Sequence, residues 1–293
     1  MTDGNGPQGR DKALLFHFSD IHFGLEDNEA LDWARDEIAR QCPDAVAITG
    51  DLTMRARHRE FAAAKDWILS LEAPVTVEVG NHDMPYFNPI ERFFAPYSRF
   101  KGMEQLVERE VDLPGIAVIP LKTAVRAQPR LNWSKGWVTD RALKKCLDAI
   151  DALPPGTSAL VTVHHPLREV GTEGTALTKN GERALAELAK RNVLAVLSGH
   201  VHDAFDLVEP TPNGPVRMIG AGTLSKRTRS TPPSFNELRW DGQELNVSVR
   251  NLEHVSSRDM MIDDVPEDAL PPREPGEPVA PVGRIPRTDP PVH

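Results

Sequence analysis

Cysteine is nearly missing from this chain, with 2 in 293 residues. Cys42 and Cys146 cannot form a metal cluster by themselves. Each falls in an apolar stretch of helical spacing, which predicts a buried free thiol rather than a disulfide. No run of 18 or more apolar residues occurs, so no helical membrane span and no membrane association are expected. The opening residues, MTDGNGPQGRDK, are polar and lack the apolar core of a secretory signal, which sets the expectation of a cytoplasmic protein. Positive charge is also scarce. The 34 basic residues face 43 acidic ones, giving a formal charge of −9, and no basic stripe is visible. A protein that lives on nucleic acid backbone shows the opposite sign, so no stable nucleic acid complex is expected. A small phosphate-bearing substrate stays compatible, because bound cations reverse the field locally.

What remains is an ordinary globular composition, 40% hydrophobic and 26% charged, in a chain long enough to bury a large core. From Pro266 to His293 the chain carries nine of its 26 prolines and no aromatic residue. Such a segment reads as an extended or disordered tail, or as one lying along a partner subunit, which would make the protein a homo-oligomer through its tail. Residues 1–11 read as a loose end, leaving 12–265 as the folded domain. Within it, Leu14–Phe18, Ala45–Ile48, Val75–Val79, Leu160–Val163 and Leu194–Leu197 read as buried strands. Helical patterns cover Glu29–Gln41, Arg57–Leu71, Thr139–Leu153 and Gly181–Arg191. Alternating strands and helices predict an α/β fold with a sheet covered on both faces. Val216–Ile219, Glu237–Trp240 and Leu245–Val249 read as further strands, the last two joined by a tight turn at Asp241-Gly242.

The chemistry is concentrated where the five buried strands end. They run into Ser19-Asp20-Ile21-His22, Gly50-Asp51-Leu52-Thr53, Gly80-Asn81-His82-Asp83, His164-His165-Pro166 and Gly199-His200-Val201-His202. In an α/β sheet, ligands collect beyond the carboxyl ends of the strands. Asp20 and His22 are two apart, as are His200 and His202, so in extended backbone each pair points to one side. The inventory is Asp20, His22, Asp51, Asn81, His164, His200 and His202, a mixture of oxygen and imidazole nitrogen without thiolate. That mixture suits Mn, Fe, Zn or Co. Seven groups are too many for one transition metal with an open position. Two divalent or trivalent ions sharing one carboxylate fit better.

These ordered motifs resemble the signature of the calcineurin-like metallophosphoesterases over about residues 13–222. Within that superfamily they look most like the bacterial class III cyclic-nucleotide phosphodiesterases and the related glycerophosphodiesterases. The resemblance implies a four-layer αββα sandwich with mixed sheets and a dinuclear metal site at the strand ends. It places Asp20, His22 and His202 on one metal, Asn81, His164 and His200 on the other, and Asp51 between them. His82 would stay off the metals and face the substrate. The expected activity is hydrolysis of a small phosphodiester (a cyclic nucleotide, a glycerophosphodiester or an organophosphate diester) by in-line attack of a hydroxide bridging the metals, with His82, as imidazolium, either stabilising the developing charge or protonating the leaving oxygen. A phosphomonoesterase of this fold and a non-catalytic scaffold are the alternatives.

Other residues are open at this stage. His165 reads as a supporting or packing residue, because adjacent residues in extended backbone face opposite sides. Asp83 either orients His82 or ends the turn. Arg55 is either a phosphate clamp or an exposed arginine at a helix start. Between Pro85 and Phe100 lie six of the chain's 17 aromatic residues. With Trp133 and Trp137 they could line the approach to the metals and stack a base or an aryl group, or simply pack the insert. Tyr86 is the one expected to face substrate, alongside Asn81 and Arg55.

Overall fold

The computed structural model describes residues 12–85, 88–130 and 132–253, all within one unit of the chain. The expectations for residues 1–11, for Tyr86 and for the tail from Pro266 lie outside the described residues, as does the domain boundary at 265. The chain order is β1 (Ala13–Phe18), α1 (Asn28–Gln41), β2 (Ala45–Ile48), α2 (His58–Leu69), β3 (Val75–Val77), α3 (Pro89–Phe94) and α4 (Ser98–Val107). It continues β4 (Ile116–Pro120), α5 (Asp140–Asp151), β5 (Ser158–Thr162), α6 (Gly181–Leu188), β6 (Val193–Ser198), β7 (Phe205–Glu209), β8 (Val216–Gly220), β9 (Ser234–Trp240) and β10 (Leu245–Asn251).

The strands form two five-stranded sheets, ordered β10-β9-β1-β2-β3 and β4-β5-β6-β8-β7. Both are mixed: β1, β2 and β3 run parallel with β9 antiparallel to β1, and β4, β5, β6 and β8 run parallel with β7 antiparallel to β8.

Period-two alternation decides which layer each strand residue joins. Phe16, Phe18, Val46 and Ile48 pack outward against Leu31, Ile38, Phe61 and Trp67 of α1 and α2. Their neighbours Leu15, Ala45 and Ala47 point the other way, onto Leu160, Ala195, Leu197 and Ile219 of the second sheet. Val161 and Val196 of that sheet turn outward onto Leu143, Ile150 and Leu185 of α5 and α6. The result is the expected four-layer sandwich. Among the described residues no helix is long and apolar enough to cross a membrane.

Two local readings are corrected. Cys146 is buried, but Cys42 is exposed. It terminates α1 at φ 49°, a left-handed cap that turns the chain out of the helix. The Asp20/His22 and His200/His202 pairs are not extended either. Asp20, His22, Asp51, His200 and His202 all have φ between 51° and 70°. Such strained backbone persists only where surrounding structure over-determines it, and it concentrates at functional sites.

Candidate metal centre

The loops leaving β1, β2, β3, β5, β6 and β8 meet where the edges of the two sheets adjoin. Asp20 N–H donates to Gly50 O at 3.1 Å, His22 N–H to Asp51 O at 2.9 Å, and Gly199 N–H to His164 O at 3.0 Å. The sheets are tied directly across the site: His200 N–H donates to Asp20 Oδ2 at 2.7 Å, and the Thr223 hydroxyl to Asp20 O at 2.6 Å. Two glycines are needed for close approach. A Cβ on Gly80 would lie 2.1 Å from Asp51 Oδ1, and one on Gly199 would lie 1.7 Å from Ser19 Oγ.

Each carboxylate has one oxygen tied down and one turned inward. Asp20 Oδ2 accepts from Ser19 Oγ at 2.6 Å as well as from His200 N–H. Its Oδ1 is buried without a hydrogen-bond partner, 3.1 Å from His202 Nε2 and 3.6 Å from His22 Nε2. Asp51 Oδ1 accepts from His82 N–H at 2.8 Å, while Oδ2 faces His164 Nε2 at 3.3 Å and His22 Nε2 at 3.9 Å. Asn81 Oδ1 stands 3.1 Å from His164 Nε2, and the Nε2 atoms of His22 and His202 are 3.2 Å apart.

Backbone carbonyls orient two of the imidazoles. His164 Nδ1 donates to Thr49 O at 2.8 Å and His202 Nδ1 to Arg227 O at 2.7 Å, so the Nε2 atoms face the cluster.

The electrostatics match this donor set. Burial holds His22 and His200 down to about 3, so their lone pairs stay available. Burial opposes ionisation of Asp20, yet His202 and His164 outweigh it and hold the carboxyl below its usual range. Asp51 is held well below that range in the same way, chiefly by His164 and His82. Burial also lowers His164, but Asp51 and Asp20 lift it to about 9. The cluster therefore favours positive charge at its centre. Asp20, His22 and His202 could hold one metal ion, and Asp20, Asp51 and His164 share the same space. The orphaned Asp20 Oδ1 and the converging imidazole nitrogens fit a transition-metal pair.

A third group with that capacity is His164, His165 and His200. Both nitrogens of His165 are taken, however. Nε2 donates to Ser134 O at 2.9 Å and Nδ1 accepts from the Thr123 hydroxyl at 2.9 Å. Burial, with His200 and His164 alongside, keeps the ring neutral, and it packs 4.4 Å from the His200 ring, the supporting role expected of it.

Asp83 neither orients the His82 ring nor merely ends a turn. Its carboxylate accepts from Gly80 N–H at 2.9 Å and from Thr53 N–H at 2.8 Å, which ties the Asn81 loop to the Asp51 loop. His82 is oriented instead by Met54 O, 2.7 Å from Nδ1. Arg55 is exposed, its backbone N–H held by Glu60. A guanidinium that does reach the cluster is that of Arg227, whose Nη1 lies 3.2 Å from His22 Nε2 and 3.4 Å from His82 Nε2. Sequence reasoning missed it, although the strand-end rule applied to β8 points to the Ser225-Lys226-Arg227 loop. Of the aromatic insert, Tyr97 and Phe100 join the core, Phe94 is exposed, and Trp137 lies under Lys179 Nζ at 4.3 Å.

A two-sheet sandwich with acidic and imidazole side chains clustered at its strand ends is the arrangement of a metallophosphoesterase. The calcineurin-like phosphoesterase family model matches residues 14–204, and the chain belongs to that family. A probable glycerophosphodiester phosphodiesterase GpdQ of Arcobacter nitrofigilis is 29% identical over 171 residues, covering 55% of this chain and 57% of that protein. A probable cyclic nucleotide phosphodiesterase of Synechococcus sp. is 28% identical over 174 residues, covering 57% of this chain and 61% of that one. The chain thus spans less than two thirds of the length of either relative. Among solved structures, a dimetal phosphatase from Danio rerio shares the fold with a TM-score of 0.60 at 14% identity, over 82% of this chain and 96% of that one. A purple acid phosphatase from yellow lupin does so at 0.58 and 14%, over 82% and 51%.

Proposed function

We propose that this chain is a metal-dependent phosphodiesterase that hydrolyses small phosphodiesters at a dinuclear centre. The observation that carries the reading is the division of Asp51: its Oδ1 is held by the His82 N–H while Oδ2 faces both His164 and His22, one from each proposed ligand set, which is compatible with a carboxylate shared by two ions. Asp20, His22 and His202 would hold one ion, Asn81, His164 and His200 the other, and Asp51 both. When bound, a transition-metal pair supplies Lewis acidity at the phosphoryl oxygens and lowers the pKa of water. His82 keeps its Nδ1 proton on Met54 O, so only as an imidazolium, with a second proton on Nε2, would it hand that Nε2 proton to the departing oxygen. Arg227 donates to a non-bridging phosphoryl oxygen. Asn81 would touch substrate as well as metal. Ser19 is spent on orienting Asp20, and no serine or cysteine nucleophile is needed.

The test is a substrate panel on protein reconstituted with Mn, Fe, Zn or Co: cyclic nucleotides, glycerophosphodiesters, aryl diesters and the matching monoesters. Turnover of diesters is the expected result. Turnover of monoesters alone would make the chain a phosphomonoesterase, and neither metal uptake nor turnover would make it a scaffold.

A further inference from the structure

A cavity of about 560 Å³, within the range of small-molecule sites, opens beside Asn81 and His82. Its far walls include Arg92 and Phe93 of α3 and the Asn132-Trp133 segment. The Phe93 and Trp133 rings meet edge to face, 5.9 Å apart at 84°. Trp133 is braced from a second side by Arg92, whose guanidinium lies 5.3 Å from the ring centroid. Arg92 is itself only 6% exposed and is fixed by donating from Nε to Arg126 O at 3.0 Å and from Nη1 to Pro85 O at 3.3 Å.

Fixed aromatic surface that stays accessible beside a phosphate site is suited to stacking. Phe93 remains 43% exposed. Among the described lining residues none is a carboxylate, and one face of Trp133 already lies against the Arg92 guanidinium. A cationic head group such as choline would meet repulsion there rather than a cage. We propose that this cavity receives a flat, uncharged aromatic ring, a nucleobase or an aryl group, carried by the ester whose phosphate engages the metal centre. The substrate class is then an aromatic-bearing diester rather than a cationic glycerophosphodiester. The inference rests on the phosphodiesterase reading.

The experiment has two arms. In the first, kcat/KM is measured on bis(4-nitrophenyl) phosphate, cyclic AMP and glycerophosphocholine for the wild type, Trp133→Ala and Trp133→Phe. Selectivity for an aromatic ester over glycerophosphocholine should fall roughly 10- to 100-fold in Trp133→Ala, the usual worth of an aromatic stack, and largely return in Trp133→Phe. A fall confined to the cyclic nucleotide or to the aryl ester identifies which ring the cavity takes. An unchanged ratio in Trp133→Ala overturns the proposal. In the second arm, calorimetry compares phenylphosphonate with methylphosphonate on metal-loaded wild type, where the phenyl compound should bind more tightly. Equal affinities also overturn the cavity assignment. Tighter phenyl binding without turnover of any ester would count against the phosphodiesterase reading while leaving the cavity assignment standing.

Discussion

Gly199→Ala would add one methyl group to the most crowded point of the site. The new Cβ falls 1.7 Å from Ser19 Oγ, 2.6 Å from Ser19 Cβ and 2.5 Å from Asp20 Oδ2. Rotating the Ser19 hydroxyl away cannot relieve this, because its Cβ is itself too close. Ser19 is also fully buried, with its Oγ donating to Asp20 Oδ2 at 2.6 Å. Overpacking costs about 1–3 kcal/mol. Loss of a hydrogen bond to a carboxylate adds about 1.5–3 kcal/mol. Against the roughly 5–15 kcal/mol that stabilise a domain, most molecules stay folded with Asp20 displaced. Urea denaturation should therefore show a clear loss of stability, and mass spectrometry should find about one metal fewer per chain. Turnover should fall at least roughly 100-fold, the usual cost of a misplacement near 1 Å. Gly102, in α4, is the control, since a Cβ there meets nothing within 4 Å. Gly102→Ala should keep metal and turnover and gain about 0.5–1 kcal/mol. The reasoning is refuted if Gly199→Ala retains wild-type metal content and turnover.

His82→Ala should keep both metals and lose turnover by roughly 100- to 10,000-fold, the usual worth of a proton-transfer group; a lost metal in its elemental analysis would make His82 a ligand. Arg227→Gln should lower kcat/KM roughly 10- to 100-fold, the worth of a hydrogen bond to a charged group, with metal content intact. Unchanged steady-state kinetics would remove Arg227 from the site. Glu78 is buried, and burial, opposed by Lys122, pushes its carboxyl up to about 7. Its neutral form thus contributes stability that is fully present below the ordinary carboxylate range and is lost as pH rises through about 7. Urea midpoints at pH 5 and pH 8 should differ less in Glu78→Gln than in the wild type, by on the order of 3 kcal/mol in stability. An equal pH slope in both proteins would contradict the assignment.

The strands that build the site were legible because they are largely buried and read as mainly apolar runs, broken only by His17, Thr76, Glu78 and Thr162, from Leu14–Phe18 to Leu194–Leu197. Elements with weaker signals escaped. β7 exposes alternate residues at the sheet edge, and β4, ending at Pro120, is only partly buried. α3 and α4 lie in the aromatic insert, whose composition drew attention to its rings and away from its helices. The candidate ligands were readable from residue types at strand ends, and the structure places those side chains in one cluster. Its backbone was not readable, because left-handed φ at Asp20, His22 and Asp51 is imposed by tertiary hydrogen bonds that no local propensity encodes. Arg227 escaped for a similar reason: it reaches His22 from 205 positions away, and only the packed fold makes them neighbours.

The central claim is a dinuclear centre shared through Asp51, and elemental analysis tests it most directly. Wild-type protein purified without chelator should carry two transition-metal ions per chain. Asp51→Asn, prepared identically, should lose at least one of them together with most diester turnover. Wild-type protein saturating at a single ion, or an Asp51→Asn variant that keeps two ions and near-normal turnover, would contradict the account.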